Sequence, residues 1–111
     1  MEEVIMQIIL HAGNARSKSL LALRENRLGN LDQAETLLES AKEEVNQAHK
    51  SQTHLIQEEV RGNKQEVSLL LVHAQDHLMT AMAIRDVAGE VILNTRALEA
   101  RLQKLEGGTR V

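Results

Sequence analysis

The chain has 111 residues, contains no cysteine, proline, phenylalanine, tyrosine or tryptophan, and carries 16 acidic against 13 basic side chains. This length suits one domain, residues 1–111, and the absence of cysteine excludes disulfide scaffolds and thiol chemistry. The abundance of helix-forming residues predicts an all-α protein. The acidic balance and the lack of aromatic residues that could stack on bases argue against nucleic-acid binding. Because no apolar run reaches about 20 residues, we predict a soluble, cytoplasmic protein that does not insert into a membrane.

Two breaks of the same form divide the chain into three predicted helices. Each break is a glycine, an asparagine and, three residues beyond the asparagine, a Gln or Glu: Gly29, Asn30 and Gln33, then Gly62, Asn63 and Glu66. The glycine suits the left-handed residue that ends a helix, and the asparagine can cap the next helix in capping-box register. The predicted helices are at about 2–28, 31–61 and 64–106, with a flexible tail over 106–111. Short connections fold each helix back along its predecessor, so we predict an antiparallel three-helix bundle.

The third helix has two apolar faces, whereas the first two helices show one apolar stripe each. One side carries Leu70, Ala74, Leu78, Ala81, Ala88 and Ile92, and the nearly opposite side carries Leu69, Val72, Met79, Ala83 and Val87. A three-helix bundle buries one broad face of each member, and an apolar strip left over is most often an interface. We therefore predict self-association through the third helix. The alternative is a long central helix with exposed ends.

Asp76 lies in the middle of that second apolar face. An ionised carboxylate in an apolar contact is costly without a partner, and in a symmetric oligomer the carboxylates of several copies would meet. Either these carboxylates share protons or a cation lies between them, and Mg²⁺, which prefers oxygen ligands, suits that position. The alternative is that Asp76 lies at the rim of the interface and stays hydrated.

His73 and His77 are four residues apart and are therefore neighbours on one helix face. Three interpretations fit this spacing. The pair can be half of a transition-metal site whose other ligands come from other helices or chains, or the two rings can be hydrogen-bonded core histidines. In the third interpretation a neutral imidazole attacks phosphorus and carries the phosphoryl group, His77 donates a hydrogen bond to that group and Gln75 helps to orient it.

Three motifs resemble one protein family. LVHAQDHLMTA, at 71–81, strongly resembles the active-site helix of the enzyme IIA component of lactose, cellobiose and chitobiose phosphotransferase systems. HAGNARS, at 11–17, is similar to the family's signature in its first helix, and AHKSQTHLIQEEVRG, at 48–62, is similar to the end of its second helix. Together they span most of the chain in the family's order and spacing.

The resemblance implies a cytoplasmic phosphocarrier that accepts a phosphoryl group on His73 from the histidine-containing phosphocarrier protein. It passes the group to a cysteine of enzyme IIB for uptake of a β-linked disaccharide of the cellobiose, chitobiose or lactose type. The resemblance also implies a homotrimer with the third helix at the threefold axis, where Asp76 meets its symmetry mates around one Mg²⁺ per trimer. His77 and Gln75 match positions near the phosphohistidine. The alternative is a metal-binding helical oligomer or adaptor without phosphotransfer.

Overall fold

The computed structural model describes residues 2–109, with the side chains of 2–107, and contains three helices. They are α1 (Glu2–Arg27), α2 (Leu31–Val60) and α3 (Leu69–Thr109). All three helices contact one another in a rod of 71 × 22 × 18 Å, and no strand occurs among residues 2–109. The all-α, antiparallel three-helix bundle is therefore confirmed.

Two left-handed glycines end α1 and α2, as the sequence predicts. Gly29 has a φ of 86° and Gly62 a φ of 96°. The backbone N–H of Asn30 donates to the carbonyl oxygen of Glu25 at 2.9 Å, and that of Asn63 donates to Glu58 at 2.8 Å. These bonds reach back five residues, which is the pattern that closes a helix through a left-handed glycine.

The asparagines after these glycines do not cap the next helix with their side chains, so the predicted capping boxes are wrong. The Nδ2 of Asn30 donates to Glu25 Oε2 at 2.7 Å, and the Nδ2 of Asn63 donates to Glu58 Oε2 at 2.9 Å. Because the left-handed turn carries each asparagine back over the helix it leaves, its amide binds a carboxylate of that helix. Asn30 still occupies the residue before α2, but without a side-chain cap bond.

The third helix begins at residue 69, five residues later than predicted. Residues 63–68 form a non-helical connection. The hydroxyl oxygen of Ser68 accepts a hydrogen bond from the backbone N–H of Leu71 at 3.1 Å, which is the geometry of a serine N-cap. The cap is thus a serine that sequence reasoning overlooked in favour of Asn63.

The helix also ends later than predicted. α3 continues through Gly107 and Gly108 to Thr109, beyond the predicted end at residue 106. Arg110 and Val111, the last residues of the predicted tail, lie outside the described residues.

The core of the bundle is rich in alanine, and small side chains at the contacts let helices approach closely. The predicted inner face of α3 is confirmed: its buried residues are Ala74, Leu78, Ala81, Ala88 and Ile92, and each is at most 2% exposed. The opposite face is open in the single chain, where Leu69 is 86% exposed and Met79 57% exposed. No helix within residues 2–109 has a stretch long and apolar enough to cross a membrane.

Candidate functional site

The imidazoles of His73 and His77 lie one above the other on α3. Their ring centroids are 5.7 Å apart and the ring planes differ by 9°. His73 is exposed and His77 is partly buried. The two rings are therefore neighbours on α3, as their spacing predicts. Because His73 is open to solvent, it is not a core histidine.

His77 is the ring of the pair that faces α1. A Cβ atom placed on Gly13 of α1 would lie 3.3 Å from Nε2 of His77, so the α1 backbone closely approaches this ring. The ring of His77 makes no hydrogen bond or ion pair within residues 2–107. Its position therefore depends on packing against α1 and on the neighbouring ring of His73.

Gln75 leaves α3 on a different side from His73. Two positions along a helix correspond to a rotation of about 200°. The Oε1 atom of Gln75 accepts a hydrogen bond from Nε2 of Gln52, which belongs to α2. Within one chain the structure therefore does not bring Gln75 and His73 together.

Asp76 is exposed on the open apolar face of α3, beside Val72 and Met79. Its carboxylate makes no hydrogen bond or ion pair with any other residue of the range 2–107. In the part of the chain that the structure describes, no group of three His, Cys, Asp or Glu side chains is placed to hold a metal ion. One chain therefore offers one unpartnered carboxylate at this position, and His73 and His77 have no third protein ligand beside them.

Two leucine side chains lie beside the exposed imidazole of His73. An open depression on the surface is lined by Leu69, Leu70 and His73. An apolar depression of this kind suits transient contact with another protein.

A second hollow lies on the Gln75 side of α3. Its walls come from the end of α2, the connection and the start of α3: Leu55, Ile56, Glu59, Gln65, Val67, Leu71 and Gln75. Sequence reasoning missed this hollow because it assigned residues 64–68 to a helix. An isolated apolar residue, Val67, in a polar stretch was the available signal.

The other histidines lie away from this site. Nδ1 of His11 lies 2.6 Å from Oε2 of Glu44, so this ring joins α1 to α2. His49 and His54 are exposed on α2. The Nζ atom of Lys18 donates to Oε1 of Glu44 at 3.2 Å. Although partial burial favours the neutral acid, hydrogen bonds from His11 and Lys18 outweigh it and lower the pKa of Glu44.

Residues 3–96 match the family described as PTS system, Lactose/Cellobiose specific IIA subunit. The lichenan-specific phosphotransferase enzyme IIA component of Bacillus subtilis (strain 168) is 50% identical over 92 residues, which cover 83% of this chain and 84% of the relative.

Solved structures give the same result. The crystal structure of the PTS cellobiose-specific enzyme IIA from Bacillus anthracis superimposes with a TM-score of 0.85 and 46% identity, covering 89% of this chain and 91% of that one. A chain in the solution structures of the IIA(chitobiose)–HPr complex of the N,N'-diacetylchitobiose branch of the Escherichia coli phosphotransferase system gives a TM-score of 0.75 and 39% identity, covering 88% and 95%. Because the family match includes parts of all three helices and one relative is half identical, this chain belongs to the lactose/cellobiose-specific IIA subunits of the phosphotransferase system.

Proposed function

We propose that this IIA subunit carries a phosphoryl group on His73, receives it from the histidine-containing phosphocarrier protein (HPr) and passes it to a cysteine of enzyme IIB. The observation that carries the proposal is an exposed imidazole one helical turn from a second imidazole, at an open depression lined by Leu69 and Leu70. The relative from Escherichia coli was solved in complex with HPr, which supports the donor. The proposal includes a cytoplasmic location.

The proposed chemistry uses imidazole as a nucleophile. A histidine ring attacks phosphorus in its neutral form, in which one ring nitrogen keeps an unshared electron pair. A ring nitrogen of His73 bonds to phosphorus while the bond between phosphorus and the HPr nitrogen breaks, and the donor imidazole keeps that electron pair. In the second step the bond from His73 to phosphorus breaks as the IIB thiolate forms a bond to phosphorus. His77 would donate a hydrogen bond to the phosphoryl oxygens.

The proposed assembly is a homotrimer with α3 at the threefold axis. The support is the open apolar face, where Leu69, Val72 and Met79 are each more than half exposed in the single chain. An apolar face of this length on a small protein is typical of an interface. If Asp76 faces the axis, His73 lies about 60° to one side of it and Gln75 about 100° to the other.

This angular arrangement explains how Gln75 could serve the site. In a ring of identical copies, one side of each copy faces the opposite side of its neighbour. The Gln75 side of one copy therefore faces the His73 side of the next, and the proposed site draws its residues from two copies. The hydrogen bond from Gln52 would hold the Gln75 amide in place.

The proposed metal is one Mg²⁺ per trimer, held by three copies of Asp76. The donor set fits, because Asp76 is a carboxylate with no partner of its own within residues 2–107 and three copies supply hard oxygen ligands. The ion would neutralise carboxylates that otherwise repel one another on the axis. The transported sugar would be a β-linked disaccharide, in line with relatives named for lichenan and N,N'-diacetylchitobiose.

The test is phosphorylation by purified components. The chain is incubated with phosphoenolpyruvate, the first phosphotransferase-system enzyme and HPr, and its intact mass is measured before and after brief acid treatment. We expect one acid-labile phosphoryl group per chain, absent in His73→Ala and present in the matched control His49→Ala, which removes an exposed histidine of α2. Full labelling of His73→Ala would refute the assignment.

A further inference from the structure

We propose that Gly13 is a positioning residue for phosphotransfer, because the lack of a side chain there lets the α1 backbone hold His77 against His73. This inference rests on the proposed phosphorylation of His73. It concerns a residue of α1 that neither carries the phosphoryl group nor touches it.

The first observation is the space at Gly13. A Cβ atom on this residue would lie 3.3 Å from Nε2 of His77, so an alanine would require the ring to move by a few tenths of an ångström. The other described glycines differ. A Cβ on Gly89 would meet only a Leu38 methyl carbon at an ordinary 3.8 Å, and Cβ atoms on Gly29, Gly62 and Gly107 would meet nothing within 4 Å.

The second observation is the position of Gly13 in the middle of α1, far from either end of the helix. Glycine is among the least favourable residues in a helix interior, so its presence there calls for a packing reason. The close approach of Nε2 supplies that reason. The residue belongs to the motif HAGNARS, whose chemistry the His73 site otherwise leaves unexplained.

The third observation is how little else restrains His77. Within residues 2–107 its ring has no hydrogen bond or ion pair, and its described ring contact is the parallel ring of His73 at 5.7 Å. A ring held by packing alone takes its position from the surfaces on each side. One of these surfaces is the bare backbone of α1 at Gly13.

The position of His77 matters for a hydrogen bond that forms only when His73 carries the phosphoryl group. A His77 N–H that reaches a phosphoryl oxygen must keep both its distance and its angle, since hydrogen bonds weaken steeply when bent. A displacement of a few tenths of an ångström leaves HPr docking unchanged but weakens this bond. The effect should therefore fall on kcat for transfer from HPr, with KM for HPr unchanged.

The experiment compares Gly13→Ala with Gly89→Ala, a matched glycine-to-alanine change inside a helix. Both variants should fold and keep or raise the Tm, because alanine is the better helix former. We expect Gly13→Ala to lower kcat on the order of tenfold, a smaller loss than a full ångström of misplacement causes. Gly89→Ala should transfer at the wild-type rate.

A double-mutant cycle separates positioning from a general structural effect. In a His77→Ala background the methyl group at residue 13 has no ring to meet, so Gly13→Ala should cause no further loss. Nuclear magnetic resonance of the His77 ring provides a second readout, and its carbon and nitrogen shifts should change in Gly13→Ala and stay unchanged in Gly89→Ala.

Each result bears on a different claim. If His77→Ala slows transfer and Gly13→Ala does not, the inference is overturned while the proposed function stands. An equal loss from Gly13→Ala with and without His77 overturns it as well. If His73→Ala still accepts the phosphoryl group, the proposed function fails, and this inference fails with it.

Discussion

Replacing Glu44 with glutamine should lower the free energy of unfolding by about 1–2 kcal/mol at pH 7, since hydrogen bonds to charged groups contribute roughly 1.5–3 kcal/mol and exposure reduces this. Glu44 joins α1 to α2 by accepting from His11 at 2.6 Å and from Lys18 at 3.2 Å. Its side chain is 17% exposed and that of Lys18 is 33% exposed, so solvent screens the lysine contact more. Glutamine keeps the shape of the Glu44 side chain and removes its negative charge.

The pH dependence follows from the direction of the pKa shift. Burial alone would raise the pKa of Glu44, but the hydrogen bonds from His11 and Lys18 lower it below the ordinary 4.5. A carboxyl whose pKa is lower in the folded state stabilises the fold above its unfolded pKa, and this contribution disappears as the pH falls through the folded pKa. The difference between wild type and Glu44→Gln should therefore be present in full at pH 7 and shrink as the pH falls below 4.5.

The assay is urea denaturation of both proteins at pH 7 and again below the folded pKa, at one protein concentration because oligomers unfold in a concentration-dependent way. Glu39→Gln is the control, since Glu39 is an exposed carboxylate of α2 without a partner in the described part of the chain. A Glu44→Gln difference that is absent at pH 7, or equal at both pH values, would refute this account of the cluster.

Three further predictions address the proposed threefold axis, the core of the bundle and the turn between α1 and α2. Asp76→Leu should leave the proposed trimer intact or strengthen it by removing charge from the proposed apolar interface, and dissociation to monomers in sedimentation velocity would contradict this. Leu78→Ala should cost about 2–5 kcal/mol in urea denaturation, because Leu78 is fully buried in the core of the bundle; a loss below about 1 kcal/mol would mean that the core collapses around the gap. Gly29→Ala should cost about 1–2 kcal/mol because φ is 86° there, and Gly107→Ala, in open space on α3, should cost nothing.

The two turns and the start of α2 at Leu31 could be predicted from the sequence, whereas the start of α3 could not. Gly29 and Gly62 adopt a backbone conformation that other residues avoid, so their role could be predicted locally. The start of α3 depended on a competition between two polar side chains. Asn63 binds Glu58 of the preceding helix, and Ser68 provides the cap instead.

In the candidate site, too, the features that depend on local spacing could be predicted, and those that depend on helix packing could not. The pairing of His73 with His77 depends on helical spacing alone and could be predicted from their four-residue separation. Gln75 turned out to be bound to Gln52 on α2, a contact that depends on how α2 lies beside α3. The approach of Gly13 to His77 likewise depends on the distance between α1 and α3, and the sequence shows only a glycine in an unfavourable place.

The third helix is long enough to place its C-terminal end far from His73. His73 lies in the second turn of this helix, and the helix runs on to Thr109. At 1.5 Å per residue, the 36 positions between them span about 54 Å. A fluorophore or affinity tag attached near Thr109 would therefore report on assembly and tumbling without obstructing the proposed phosphotransfer partners at His73.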